Sequence, residues 1–308
     1  MSGVKVFAPA SIANIAVGYD ILGLALDNPG DEVIVRKGTK DGLVISKISN
    51  GKSLSKELEK NTAGLAALRL LQHLGEENMP IEMELIKKMR LGTGLGSSAA
   101  SAVAGVMGIN EYLGKPLQKS ELLRFAVEGE QVADGSWHAD NVAPSLFGGI
   151  ILIRDNKTLD WKRIYVPEHL SLVMVHPHLK ILTSESRALL NDTVSLDNLI
   201  AQTGNLAALV AAFYTSDFNM IRRSLTDHII EPQRKKLIPH FDRIKEIALE
   251  NDALGFSISG AGPSMFALCE NSFIAENILS AVESYYMNEK TDVDVFISGI
   301  NKTGAYKY

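Results

Sequence analysis

Three glycines at alternate positions, Gly92, Gly94 and Gly96, run directly into Ser97-Ser98-Ala99-Ala100. Without a Cβ, a chain reaches positive φ angles and brings its N–H groups close to a ligand. The serines suit a helix start and the alanines its interior, so this loop is expected to end at a helix N-terminus, where orphan N–H groups and the helix dipole favour an anion. A polyphosphate is the natural guest, although a turn that only joins a strand to a helix would need the same glycines. A Walker A loop is excluded because no lysine stands in the required place. "GLGSSA" fits the loose dinucleotide pattern, but no strand about 20 residues on ends in an acid, since Glu111 and Glu121 sit in helical contexts. What remains is a nucleoside triphosphate on loop amides, with Ser98 offering a hydroxyl to Mg²⁺, an ion that takes oxygen ligands and needs a carboxylate nearby.

The elements around this loop follow from hydrophobic periodicity. Short β-type runs at 4–9, 22–26, 31–38 and 42–48 lead to a helix over 61–75, whose cap is Asn61 or Thr62 and whose stop is Gly75. "IEMELIK" at 81–87 reads as a strand feeding the glycines; an Ala-rich helix to about Leu113, a helix at 119–132 and a buried strand after Gly148-Gly149 follow. From 170 the pattern restarts with a strand, helices through 185–250, two strands around the glycine turn of "ALGFSISGAGPSMFALC", a helix at 273–286 and a last strand "VDVFISG". The expected organisation is two α+β units, 1–162 and 163–308, sharing a substantial interface.

Composition narrows the class. The 308 residues (33.5 kDa) are 46% hydrophobic and 22% charged, with a formal net charge of −5 and a pI near 5.8, as in ordinary globular proteins. Arg234-Lys235-Lys236 is a basic cluster without interleaved aromatics or a basic surplus, so a solvated face is expected and a nucleic-acid role is not. The single cysteine, Cys269, lies in an apolar run and cannot form an intrachain disulfide, which fits a reducing compartment. No signal-like start and no long apolar window are visible, so a soluble, cytoplasmic protein is expected.

Three stretches in order carry a resemblance. "APASIANIAVGYDILGLAL" (8–26), "GLGSSAAS" (94–101) and "SISGAGPSMFAL" (257–268) resemble the three motifs of the GHMP kinases, the superfamily of galacto-, homoserine, mevalonate and phosphomevalonate kinases. Within it, "HADNVAP" (138–144) is similar to the homoserine kinase form, in which Asn141 replaces the aspartate thought to deprotonate the acceptor in mevalonate kinase relatives. The resemblance implies a ribosomal protein S5 domain 2-like N-terminal domain and a ferredoxin-like C-terminal domain, ATP and Mg²⁺ as cofactors, a homodimer, and phosphorylation of homoserine to O-phosphohomoserine. Other small-molecule acceptors of the superfamily, or a nucleotide-binding regulator without catalysis, are the alternatives.

Site roles follow from the same resemblance. The nucleotide is assigned to Arg90, Leu91, Gly92, Thr93, Gly94, Leu95, Gly96, Ser97, Ser98, Ala99 and Ala100, its phosphates on the amides of 92–100. Adenine is placed near Asn61 and Thr62, although a helix-cap role alone explains both nearly as well. Ser98 and Glu130 are assigned to Mg²⁺. Arg187 and Arg234 suit the substrate carboxylate through paired N–H bonds. Asp20 suits the ammonium or hydroxyl end, with Asn14, His138 and Asn141 fixing orientation. Asn141 cannot act as a base, so Asn141 and Asp20 are expected to position the hydroxyl, with Asp140 and His138 in reserve as bases. Arg90 stands where the family often has proline, and beyond its place in the nucleotide loop the resemblance gives its charge no specific role.

Overall fold

The computed structural model describes residues 3–51, 53–90, 92–135 and 137–308. Strand β1 (Val4–Ala13) runs antiparallel to β2 (Leu22–Lys37). The pattern of the sequence suggests two strands in the β2 region, 22–26 and 31–38, but the structure joins them. A register shift between Pro9 and Ser11 lets both halves of β2 pair with one β1, while Asp27 and Asn28 donate their N–H groups to Ser298 Oγ.

Next come β3 (Leu43–Ser49), α1 (Thr62–Leu74) and β4 (Ile81–Ile86), with β3 and β4 parallel. The α1 cap is Asn61, whose side chain accepts the Gly64 N–H at 3.1 Å, a device contributing about 1 kcal/mol. Helix α2 (Ser97–Tyr112) is buried along nearly its whole length, which its run of Ala, Gly and Ser permits. A Cβ on Gly105 would lie 2.5 Å from the Ala63 carbonyl, so only glycine allows α1 to sit this close. Then come α3 (Leu123–Asp134), α4 (Val142–Phe147), β5 (Ile150–Asp155) and β6 (Asp160–Ile164). Short α4 and β6 carry too little periodicity to stand out in the sequence.

The second unit holds β7 (Ser171–Pro177), α5 (Thr183–Ala188), α6 (Leu196–Thr215), α7 (Phe218–Ser224), α8 (Glu231–Arg234) and α9 (Phe241–Glu250). After these come β8 (Gly255–Ile258), β9 (Met265–Cys269), α10 (Ser272–Glu289) and β10 (Val293–Gly299). Its antiparallel sheet has the order β10-β7-β9-β8, fourth-first-third-second, the ferredoxin-like arrangement. The chain end, β11 (Tyr306–Lys307), returns to pair with β1 in the first sheet, whose order is β11-β1-β2-β4-β3 with β5 on β2 and β6 on β5.

Burial shows why the second sheet reads as unbroken apolar runs. Along β7, Leu172 and Met174 join the large core shared with the first unit, while Val173 and Val175 join a separate core with Phe241, Ile244 and Ile278 of α9 and α10. Successive side chains point to opposite faces and both faces are covered. Cys269 lies in that second core, fully buried, and burial pushes its thiol up to about 12, so it stays protonated at neutral pH. Among the described residues no helix is long and apolar enough to cross a membrane.

Candidate active site

The glycine loop lies between β4 and α2 and is held from three directions. All three glycines take left-handed φ, 71° at Gly92, 78° at Gly94 and 61° at Gly96. A Cβ on Gly94 would meet the Ser259 carbonyl at 2.6 Å and that of Gly262 at 2.8 Å; one on Gly96 would meet Ser11 Oγ at 2.1 Å. Ser259 Oγ donates to the Gly94 carbonyl (2.6 Å), the Ser264 N–H to that of Thr93 (3.1 Å) and the Ser11 N–H to that of Leu95 (3.1 Å). Segments from both ends of the chain therefore clamp the loop's carbonyls and leave its amides turned toward a cavity of about 430 Å³.

Helix α2 begins at Gly96, which has no side chain to cap it, and the first turn opens into that cavity. Such a terminus suits an anion. Beneath it lies Lys87, 2% exposed, whose Nζ contacts Ser97 O (2.9 Å), Ser97 Oγ (2.6 Å), Ser101 Oγ (2.8 Å) and the carboxylate of fully buried Asp31. Asp31 also accepts from the Lys88 N–H at 3.0 Å, so one ion pair ties β2, β4 and the first turn of α2 together. In the sequence, Lys87 is only the last letter of a strand pattern, and no motif marks it.

Gly92, Thr93, Gly94, Gly96, Ser97 and Ser98 line the cavity as expected. Six of the described residues assigned to nucleotide do not. Leu95, Ala99 and Ala100 are buried in the core, and the Ala100 N–H is already bonded to the Gly96 carbonyl at 2.9 Å, so the phosphate-facing amides end before Ala100. Arg90 is exposed and absent from the lining; its carbonyl accepts from Thr93 Oγ1. Leu91 lies outside the described residues. Asn61 is 2% exposed, with Oδ1 capping α1 and Nδ2 donating to the Ser55 carbonyl at 2.9 Å. Neither Asn61 nor Thr62 lines this cavity, and the side chain of Asn61 is engaged as the α1 cap.

Across the cavity, Ser98 Oγ donates to Glu130 Oε1 at 2.6 Å. A hydroxyl and a carboxylate are hard oxygen ligands and fit Mg²⁺. Among the described residues no group of three or more His, Cys, Asp or Glu side chains could hold a metal, so phosphate and water oxygens would complete the shell.

A second, smaller cavity of about 50 Å³ adjoins the first and shares Asn141, Thr183, Gly260 and Ala261 with it. Its floor is the β1–β2 loop, where Asn14, Ile15, Ala16 and Asp20 all have positive φ. Such angles cost of order 1–3 kcal/mol each and persist only where neighbours enforce them. Here Asn14 Oδ1 accepts the Asp20 N–H (3.1 Å), Asn14 Nδ2 donates to the Gly260 carbonyl (3.2 Å) and Asn156 Nδ2 donates to the Asp20 carbonyl (2.9 Å). Asn156 also accepts the Ala139 N–H and, on its backbone carbonyl, the Trp137 indole N–H. This residue positions both sides of the cavity, and nothing in the sequence singles it out.

One ion pair in the second cavity is direct. Arg187 on α5 makes a forked contact to Asp20 through its two terminal nitrogens (3.1 and 3.3 Å), with His138 Nδ1 3.6 Å from the same carboxylate. Arg234 is 3% exposed, which overturns a solvated face for that residue; it donates to the carbonyls of Ser186 (3.3 Å) and Gly260 (3.1 Å) and to Tyr19 Oη (3.4 Å). Burial pushes its guanidinium down from its usual value, and burial likewise raises the Tyr19 phenol. Both guanidinium groups lie over the Tyr19 ring, 5.6 and 5.1 Å from its centroid. Asp227 holds α8, and so Arg234, in place by accepting the N–H groups of Ile229, Ile230 and Glu231. Asn141 reaches both cavities, its Oδ1 accepting from Ser11 Oγ at 2.9 Å, while Asp140 is buried beside it.

The network under α2 generates a stability prediction. Replacing Lys87 by Met leaves Asp31 as a buried, uncompensated carboxylate and should cost about 3–5 kcal/mol in denaturant unfolding. A loss below about 1 kcal/mol, the range of an exposed pair, would show that the ion pair is not a strut.

Comparison with known proteins agrees with this geometry. The GHMP kinases N terminal domain matches residues 61–149 and the GHMP kinases C terminal domain residues 209–288. The homoserine kinases of Chlorobium phaeovibrioides and Chlorobium phaeobacteroides are 43% and 40% identical over 317 aligned residues, covering 99% of this chain and 99% of each relative. A crystal structure of homoserine kinase from Cytophaga hutchinsonii superposes with a TM-score of 0.97 at 46% identity, covering 100% of this chain and 98% of that one. Full-length identity of this order, both family domains in sequence and a site assembled from all three motifs lead to one assignment: the chain belongs to the homoserine kinases of the GHMP kinase superfamily.

Proposed function

We propose that this protein transfers the γ-phosphoryl group of ATP to the hydroxyl of L-homoserine, giving O-phospho-L-homoserine and ADP on the way to threonine. The observation that carries the reading is the pair of adjoining cavities. One is lined by bare loop amides at a helix start, the other by opposed charges, and they meet at Asn141 and Thr183. The first unit, which runs through β6 to Ile164 rather than ending at 162, and the second supply opposite walls, and the setting we infer is a cytoplasmic homodimer.

In this reading the triphosphate rests on the amides from Gly92 to Ser98, and Ser98 with Glu130 holds Mg²⁺. The ion supplies positive charge against the phosphate oxygens when bound. Homoserine enters the smaller cavity as a zwitterion. Its ammonium takes the Asp20 carboxylate and its carboxylate takes Arg187, so the substrate exchanges one internal ion pair for two external ones of the same kind. Arg234, already donating to three protein oxygens, chiefly sets the position of Tyr19 and the Gly260 turn and retains spare N–H groups for the carboxylate.

The substrate hydroxyl then faces the γ-phosphorus near Asn141. Its oxygen forms the new bond to phosphorus, the bond to the β–γ bridging oxygen breaks, and the hydroxyl proton passes late to phosphate or solvent. An amide cannot accept that proton, so Asn141 orients the hydroxyl, and Asp140 and His138, which line the same cavity, stand in reserve as bases. Alignment and charge neutralisation supply the rate, as expected for phosphoryl transfer.

Release of ADP should rise with L-homoserine and not with mevalonate, galactose or no acceptor. A preference for mevalonate or galactose would move the protein to another branch of the superfamily, and silence with every acceptor would make it a regulator. Arg187→Ala should raise the homoserine KM about 10- to 100-fold, the value of one charged hydrogen-bonding contact, with little change in the ATP KM. Equal effects on both substrates would remove Arg187 from the acceptor pocket. Glu130→Gln should lower kcat and shift the Mg²⁺ requirement upward by at least the roughly 10- to 100-fold typical of ligand-shell changes; an unchanged metal requirement would contradict its assignment.

A further inference from the structure

Resting on the nucleotide reading of the larger cavity, we infer that Lys180 is the cation that binds the terminal phosphates of ATP, a role the glycine loop does not supply for itself. Two charged side chains line that cavity among the described residues, Glu130 and Lys180, and only the second is positive. A triphosphate brings several negative charges, and bare amides with one divalent ion leave part of that charge unmatched.

The placement of Lys180 is not that of a loose surface lysine. It follows β7 in the short segment leading to α5, and its neighbour Ile181 is 6% exposed, packed in the second core beside Ile238. That anchor fixes the backbone, and Lys180 crosses to the glycine loop. Its Cγ would lie 2.7 Å from a Cβ on Gly92, so the aliphatic stem runs directly over the loop's first glycine. Lys180 is exposed and forms no ion pair among the described residues, unlike Lys87 and Lys88, which are held by Asp31 and Glu32. The same segment continues into Thr183 and Arg187, which face the acceptor cavity. One stretch of chain thus presents a cation to the donor and another to the acceptor.

The arrangement also accounts for the missing Walker lysine. In a Walker loop the lysine stands beside the glycines in sequence, whereas here it arrives across the seam between the two sheets. An ammonium is a compact, strongly hydrated point charge on a flexible stem, suited to a phosphate that moves during transfer.

The test is calorimetric titration of the full-length protein with Mg²⁺·ATP and with AMP, without homoserine, for wild type, Lys180→Met, Lys180→Arg and Ser98→Ala. Lys180→Met should weaken ATP binding about 10- to 100-fold, the value of one charge-assisted contact, and leave AMP within about threefold. Lys180→Arg should recover most of the loss, and kcat/KM for ATP should fall with the binding while the homoserine KM holds. Because Lys180 is exposed, the variants should melt with the wild type. Unchanged ATP affinity in Lys180→Met, or equal losses for ATP and AMP, overturns the assignment. If Ser98→Ala weakens Mg²⁺·ATP while Lys180→Met does not, the cavity still holds nucleotide and only Lys180 falls. If neither variant affects binding, the nucleotide lies elsewhere and both readings fall.

Discussion

The backbone of Gly94 lies against the carbonyls of Ser259 and Gly262 with no room for a methyl group between them. This contact joins the start of α2, in the first sheet's unit, to the β8–β9 turn of the other. Hydrogen bonds from Ser259 Oγ and the Ser264 N–H lock the loop's carbonyls in that direction, and the amides necessarily face the other way, into the cavity. The anion site is therefore a consequence of how two backbones dock, and its glycines serve that docking as much as ligand approach.

Charge is handled differently on the two sides of the junction. Under α2, Lys87 and Asp31 are buried and paired, with hydrogen bonds to serines and backbone. In the smaller cavity, Asp20 and Arg187 are only partly buried and meet in a forked contact. A buried pair is costly to break, while a half-exposed one is cheaply exchanged. The first thus suits a strut and the second a recognition site.

Strain marks the same boundary. Four residues of the β1–β2 loop hold positive φ, among them β-branched Ile15, where such an angle is unusual. Asn14 and Asn156 hold the loop by bonding its N–H and C=O groups, and Gly23 lets Asp140 approach, since a Cβ there would lie 1.7 Å from the Asp140 carbonyl. The acceptor pocket is preorganised at the expense of local conformational preference, with the surrounding sheet and α4 supplying the difference.

Much of this was legible in the chain itself. Glycine at alternate positions before Ser-Ala-Ala, Asn before α1 and Gly75 after it, and the unbroken apolar runs of the second sheet are local or periodic signals, and each produced the element expected. The motifs likewise marked Asn14, Asp20, Ser98, Glu130, His138, Asn141, Arg187 and Arg234, all of which line the two cavities. Tertiary structure decided what such signals cannot encode. Arg234 is buried rather than solvated, and the chain end returns as β11 to the first sheet. It also supplied Lys87, Asn156 and Lys180, three residues with no motif around them, because their positions depend on partners 10 to 136 residues away for the first two and on a loop across the seam for the third. A hydrogen bond or a close approach between distant segments leaves no period in the sequence; only the packing that brings the segments together determines it.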